Sequence, residues 1–387
     1  MRKTFLVFGK PYWNKNELDE MVDTLNSGWW GTGPKTEYFE KQFSKYIGSK
    51  YAIGVNSATA GLHLALLGLG IGPGDEVITT PLTFCSTINV ILHAGAKPVF
   101  ADVDINDWNI DPKEIEKKIT KKTRAIMPVH LHGRPCKMDK IMQIAKKHKI
   151  FVIEDAAHAV EASFKKKKIG NIGDITVFSF YVTKNLATGE GGMITLKDKK
   201  IADKIKALSL HGLSKDAYRR YSVKYFKTYQ CLYPGFKYNL TDLASSLGIH
   251  QLRRINENAK LRKKYWDMYN EAFNKISEII KPAPEEKNTY HARHLYAILL
   301  NLKKLKINRN QFVDLLLKSN IGSGVHFIPV HMHSYYRKTF GFKKGDFPNA
   351  EFIGERILSL PLGANLSEKD VNDVIFTIKR IINNNKK

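Results

Sequence analysis

Between residues 51 and 196 the chain alternates short apolar runs with amphipathic ones, and this alternation limits the fold more than any other feature. Apolar segments at 51–55, 75–80, 98–101, 125–129, 150–153, 175–180 and 193–196 read as strands. The intervening segments 56–67, 84–93, 112–119 and 138–148 carry helical spacing. Strands separated by helices form parallel βαβ units, and such sheets take ligands at the C-terminal ends of their strands. A run that is apolar throughout, as at 150–153, fits a sheet covered on both faces. No G-x-G-x-x-G follows the first strand, so a dinucleotide site is not supported.

Upstream, 13–25 and 36–46 read as amphipathic helices flanking a glycine-rich loop, 28–34, which is either a close approach to a ligand or a cluster of turns. Downstream, 198–210 reads as a helix, and Asp242 stands in the first turn of a long helix expected to reach about 279. Beyond Pro282 and Pro284 the character changes. Strands are expected at 294–300 and 324–328, a loop at 361–366, helices at 308–319 and 369–382, and a frayed tail at 383–387. The fold class is therefore α/β. A large domain, 1–250, holds a mostly parallel central sheet between helices, and 251–387 adds a connecting helix and a smaller C-terminal α+β domain.

Four places in the sheet region carry chemistry. The strand at 175–180 breaks into a polar turn with one lysine, Lys184, before the glycine cluster 189–192. An amine held at the mouth of a sheet can form a Schiff base with a carbonyl, although most lysines are solvated charges. Ser57 and Thr59 open a strongly apolar helix, which suits an anion at the dipole's positive end or simple capping by Ser57 or Asn56. Asp155 stands at the tip of a buried strand, where a carboxylate needs a cationic partner unless it is a helix cap. Phe84 follows another strand. A phosphate cradle, a ring platform, a carboxylate for a pyridine nitrogen and an amine are together what pyridoxal phosphate requires.

Composition narrows the alternatives. The net charge of +25 invites a nucleic-acid reading, but the lysines are scattered, the densest run, 165–168, looks like a hairpin tip, and no nucleic-acid motif is present. The charge still favours an anionic substrate. The three cysteines are far apart and offer neither a disulfide framework nor a CxxC metal site. Two H-x-H pairs, His130/His132 and His331/His333, would each point to one side on a strand, but metal binding needs three or four convergent ligands, and no metal is expected. No apolar run approaches the roughly 20 residues that span a bilayer, and the cytoplasm is the expected location.

The chain resembles the DegT/DnrJ/EryC1/StrS sugar aminotransferases, which have the aspartate-aminotransferase fold, type I. The resembling stretches are NSATAGLHLA (56–65), TPLTF (80–84), HLHGRPCKMD (130–139), EDAAH (154–158), FSFYVTKN (178–185), GEGG (189–192), PGFKYNLTD (234–242) and GVHFIPVH (324–331). The resemblance implies a pyridoxal-phosphate enzyme that moves an amino group from glutamate to a nucleotide-linked keto sugar, with a UDP-linked 4-keto-6-deoxyhexose favoured. Lys184 would carry the cofactor and act as base. Asp155 would pair with the ring nitrogen and His158 with the ring hydroxyl, making these three the catalytic set. Phe84 and Ala157 would flank the ring. Ser57, Ala58, Thr59 and Ser179 would hold the phosphate, with Asn185 beside the lysine. Asn239 would reach the phosphate of the partner subunit, which makes a homodimer obligatory. Glu190, Arg219, Tyr238, His326 and His331 would meet the substrate. The family's dehydratases replace the lysine with histidine, so Lys184 argues against that branch. The departure at Gly133-Arg134, where many members carry glutamine after the glycine, bears on substrate detail.

Two other readings follow from the same residues. A type I lyase or dehydratase would consume the keto sugar without amine transfer. A cofactor-bearing regulator, suggested by the charge, would bind DNA in a salt-sensitive way.

Overall fold

The computed structural model describes residues 2–214 and 228–387. Seven strands make the main sheet: β1 (Tyr51–Val55), β2 (Glu76–Thr79), β3 (Lys97–Phe100), β4 (Thr123–Met127), β5 (Phe151–Asp155), β8 (Ile175–Ser179) and β9 (Gly192–Leu196). A short hairpin of β6 (Ser163–Phe164) and β7 (Lys167–Lys168) stands outside it, with the basic run at its tip. The spatial order is β1-β9-β8-β5-β4-β2-β3. Only β9 is reversed, pairing antiparallel with both β1 and β8. The other pairings are parallel.

The period of two in a strand sends neighbours to opposite faces, and both faces here are cores. Val152, Phe178 and Met193 join Phe39, Phe43, Met138 and Ile141 on one side. Ile153, Val177 and Ile194 join Leu62, Val90 and Ile205 on the other. Each such side chain, fully buried, contributes roughly 1.5–3 kcal/mol of transfer free energy. This is why the strands read as unbroken apolar runs.

The covering helices start where the sequence supplies caps. Asn14 and Glu17 form a capping box before helix Lys15–Ser27, and Ser57 caps Ala58–Gly68. The buried carboxylate of Asp242 accepts from the N–H groups of Gly33, Lys35 and Thr36, tying the start of helix Pro34–Ile47 to the start of Asp242–Arg253.

The expected single helix from 242 to 279 is two helices, Asp242–Arg253 and Ile255–Ala272, and Ile279 belongs to strand β10 (Ile279–Ile280). At Arg254 the backbone leaves the helical basin (φ −104°, ψ 12°). Its guanidinium pairs with Glu17 of the first helix, which locks the N-terminal half to the large sheet's side. The second half instead gives Tyr265, Trp266, Tyr269 and Phe273 to a separate core. That core covers an antiparallel sheet of β10, β11 (Tyr296–Leu300) and β12 (Ile357–Leu360), with helices Arg309–Lys318 and Glu368–Asn384. We propose the break at Arg254 as the boundary between a large and a small domain.

Two further expectations are corrected. Residues 324–328 form no strand; only Gly324 pairs, with Ser359, while Val325 and Phe327 pack into an apolar cluster with Leu82 and Phe100. The tail is held, not frayed. Lys306 N–H donates to the Asn385 carbonyl at 2.9 Å, and Lys387 N–H to the Lys304 carbonyl at 3.1 Å.

Candidate active site

The register puts the ends of β1, β5 and β8 on one edge of the sheet, because Gly192 at the start of the reversed β9 faces both Val55 and Ser179. The sequence-expected residues therefore gather from distant parts of the chain. Ser57 follows β1, Asp155 ends β5, Ser179 ends β8, and Lys184 lies in the turn after it.

Asp155 is buried. Its Oδ2 accepts from Thr87 Oγ1 at 2.8 Å and its Oδ1 from the Ala157 N–H at 3.1 Å. Burial holds its carboxyl above the usual range, and the hydrogen bonds and the Lys184 charge work against that rise. Lys184 shows the complementary effect. Burial pushes its amine down to about 8, and the Asp155 charge opposes the fall. Each group thus senses the other, and each is destabilised as an ion by lost water.

At the first turn of Ala58–Gly68, Ser57 Oγ accepts from the Ala60 N–H at 3.1 Å. The N–H groups of Ala58 and Thr59 have no carbonyl one turn back to reach. Gly192 lies directly against this turn. A Cβ there would stand 2.9 Å from the Ala58 nitrogen and 2.7 Å from the Phe178 carbonyl oxygen. Ser179 Oγ accepts from the Tyr181 N–H at 3.3 Å.

Phe84 is 57% exposed at the mouth, its ring 5.9 Å from that of Phe327. Ala157 is half-buried. His158 is buried, and its Nδ1 accepts from the His132 N–H at 3.2 Å, so its proton sits on Nε2. Its ring lies 4.5 Å from His294 and 6.0 Å from Phe327. His326 bonds Ser359 Oγ through Nδ1 at 3.0 Å and stacks on Phe8 at 5.6 Å. His132 Nε2 donates to the His326 carbonyl at 2.8 Å. Burial pushes His132 down to about 4 and His326 to about 3, and holds His158 and His294 well below the ordinary imidazole value.

The profile of the DegT/DnrJ/EryC1/StrS aminotransferase family matches residues 11–379. The chain belongs to this family. It is similar to the spore coat polysaccharide biosynthesis protein SpsC of Bacillus subtilis, 50% identical over 98% of each chain. It is 37% identical to the UDP-4-amino-4-deoxy-L-arabinose–oxoglutarate aminotransferase of Shewanella sediminis, over 99% of this chain and 100% of that one. Its fold matches the PLP-form of the sugar aminotransferase Spr1654 from Streptococcus pneumoniae, with a TM-score of 0.91 at 34% identity, covering 98% of this chain and 99% of that one. The protein is thus a PLP-dependent sugar aminotransferase of fold type I.

Other expected residues of this aminotransferase lie differently. His331 is fully buried, bonded to Glu351 at 3.0 Å and packed against Phe347, which leaves it no face for a substrate. His130 is also internal, with Nε2 on Glu154 at 2.9 Å. The pair His130/His132 does not point to one side, because 131–133 is a 3-10 turn with His132 at φ 57°. Asn185 donates to Glu161 and to the Ala292 carbonyl, so its amide is held by the protein. Asn239 donates to Thr32 Oγ1 at 2.6 Å. Tyr238 stacks on Phe236 at 4.9 Å, and Glu190 is exposed. Arg219 lies outside the described residues.

Thr87, His294, Glu161 and Arg262 are not anticipated from the sequence, and His132 enters there only as half of an H-x-H pair. The signal for Thr87 was its place one turn after Phe84; the others have none short of tertiary contact. A groove between Ile255–Ala272 and Glu368–Asn384, lined by Met268, Glu271, Lys275 and Lys379, shares no residue with this site. Among the described residues no helix is long and apolar enough to cross a membrane.

Proposed function

We propose that this aminotransferase transfers an amino group from glutamate to a nucleotide-linked keto sugar, in the biosynthesis of an amino sugar for a polysaccharide. The observation that carries the reading is the meeting of Lys184, Asp155 and the open helix start at Ala58–Thr59 on one sheet edge. The residues present fit pyridoxal phosphate. A buried carboxylate that feels the Lys184 charge but makes no direct ion pair among the described residues, helix-start N–H groups with no carbonyl one turn back, and a glycine that leaves room beside them are three matching complements for a ring nitrogen and a phosphate.

When bound, the cofactor supplies an electron sink that stabilises the carbanion formed at the amine-bearing carbon. The chain does the rest. Asp155, oriented by Thr87 and Ala157, would hold the protonated ring nitrogen through charge. Ala58, Thr59 and Ser179 would hold the phosphate, and Phe84 and Ala157 would flank the ring. His158 would offer its Nε2–H to the ring hydroxyl. Lys184, its amine pushed down to about 8 by burial, would attach the cofactor and, once displaced, would carry a proton between the amine-bearing carbon of the substrate and the cofactor carbon it had held.

The relatives support the substrate class. One is named for spore coat polysaccharide biosynthesis and another for a UDP-linked 4-amino sugar with oxoglutarate as its counterpart. We take a UDP-linked 4-keto-6-deoxyhexose as the acceptor, with His326, Tyr238 and Glu190 on its side of the site. The enzyme is proposed to work as a cytoplasmic homodimer in which Asn239 serves the neighbouring site. Exposed Trp13, Leu18, Val22, Leu25 and Trp30 on and beside the first helix supply an apolar face for such a contact. The test is a panel of UDP- and dTDP-linked keto sugars with glutamate, the products identified by NMR. Amine at the keto carbon of a UDP sugar supports the proposal; keto-sugar loss without amine transfer contradicts it.

A further inference from the structure

Asn185, next to Lys184, spends every polar atom of its side chain on the protein. Its Nδ2 donates to Glu161 Oε2 at 2.9 Å and to the Ala292 carbonyl at 3.0 Å. A carbonyl and an ionised carboxylate only accept, so the amide cannot be turned over. Its Oδ1 therefore faces His294 Nδ1, at 3.1 Å. An amide oxygen only accepts as well, so His294 must carry its proton on Nδ1 and keep a lone pair on Nε2.

The anchor of this chain is deep. Glu161 is 3% exposed and its Oε1 pairs with Arg262, also 3% exposed, on helix Ile255–Ala272. The same helix carries Tyr265, Trp266 and Tyr269 into the small core. The His294 ring in turn lies 4.5 Å from that of His158. One buried ion pair thus dictates, through one amide, the proton position of an imidazole beside the lysine pocket.

We propose that Asn185 is a positioning residue: with Glu161 and Arg262 it holds His294 as the Nδ1–H tautomer and fixes the turn that carries Lys184. The effect on chemistry is indirect. A fixed acceptor at His294 Nε2 presents the pocket with a lone pair and no competing donor, and a fixed turn keeps the Lys184 amine in line with the cofactor. The proposal rests on Lys184 being the cofactor-carrying amine.

The test reads the tautomer directly. Cofactor-loaded, full-length protein is labelled with 15N-histidine, long-range proton–nitrogen correlations are recorded, and His294 is assigned by the signal lost in His294→Gln. The expected result is the Nδ1–H pattern for His294, turning to Nε2–H or a mixture in Asn185→Leu. In single-turnover reactions with glutamate, Asn185→Leu is expected to slow amine transfer at least tenfold while glutamate Kd stays within twofold. A His294 that is Nε2–H in the parent protein, or whose tautomer is the same in Asn185→Leu, overturns the proposal. If Asn185→Leu does not fold, the parent tautomer alone decides. Loss of the underlying reading looks different: the cofactor would then be found on a lysine other than Lys184, whatever the tautomer.

Discussion

Replacing Asp155 with asparagine separates charge from shape at the centre of the site. The amide can keep both contacts of the acid, accepting from Ala157 N–H and donating to Thr87 Oγ1, which then donates to Thr83 Oγ1 at 2.9 Å. The fold should hardly change. The charge loss acts twice, in opposite directions. Asp155 holds the Lys184 amine up against burial, so the variant's amine should fall below its present value of about 8. At pH 7 an amine titrating at 8 is about 9% neutral, against about 0.04% for an ordinary lysine. A further drop of one pH unit in its midpoint raises that share to about 50%. The ring nitrogen, however, loses its counter-charge. Removing one such preorganised electrostatic partner costs roughly 10²–10³ in rate. Stopped-flow mixing of cofactor-free protein with pyridoxal phosphate across pH 6 to 10 reads the first effect. Turnover with glutamate reads the second. In Asp155→Asn the midpoint of attachment should move to lower pH while turnover falls by the stated factor. A midpoint that rises, or turnover within threefold of the parent, would refute the reasoning.

Three further outcomes follow from the same contacts. His132, His158, His291 and His294 are buried with their pKa values depressed. The unfolded chain therefore takes up protons near pH 6.5 that the fold refuses, and stability falls on acidification below that pH, by about 1.4 kcal/mol per pH unit per histidine. Calorimetry should show Tm dropping between pH 7 and pH 5; a flat Tm contradicts this. Gly192→Ala forces a methyl to within 2.7 Å of the Phe178 oxygen, which should cost about 1–3 kcal/mol and weaken cofactor binding, measured by equilibrium dialysis; unchanged affinity would count against the cradle. Arg262→Met leaves Glu161 buried and unpaired, expected to cost about 3–5 kcal/mol in urea unfolding; a loss under 1 kcal/mol would mean that the pair does not brace the site.

Much of this was legible in the chain because the signals are local. Helix Met138–His148 shows its face through Met138, Ile141, Ile144 and Ala145, and the strands around it read as apolar because both sheet faces are covered. Lys184, Asp155 and Ser57 stand out in the sequence because each lies at or just past the end of an apolar run. What was not legible depends on who meets whom. Residues 324–328 have the apolar content of a strand, but they pack as an irregular segment against Leu82 and Phe100. Strand β12 was missed because it runs straight out of helix Pro348–Arg356 with no turn residue between them. His331 is expected from the sequence to meet the substrate, yet Glu351, 20 positions later, draws it inside. Arg262 and Glu161 lie 101 positions apart, and nothing in either stretch announces the pair.

The most direct test of the central claim is to find which lysine holds the cofactor. Among the described residues two half-buried lysines have amines pushed down to about 8, Lys184 and Lys168, the latter lying over the Tyr46 ring. Reduction of the cofactor-loaded protein with borohydride, digestion and mass spectrometry would show the pyridoxyl label. The account predicts the label on the peptide containing Lys184 and its absence in Lys184→Ala. A label on Lys168 or another lysine, with Lys184 unmodified, would contradict it.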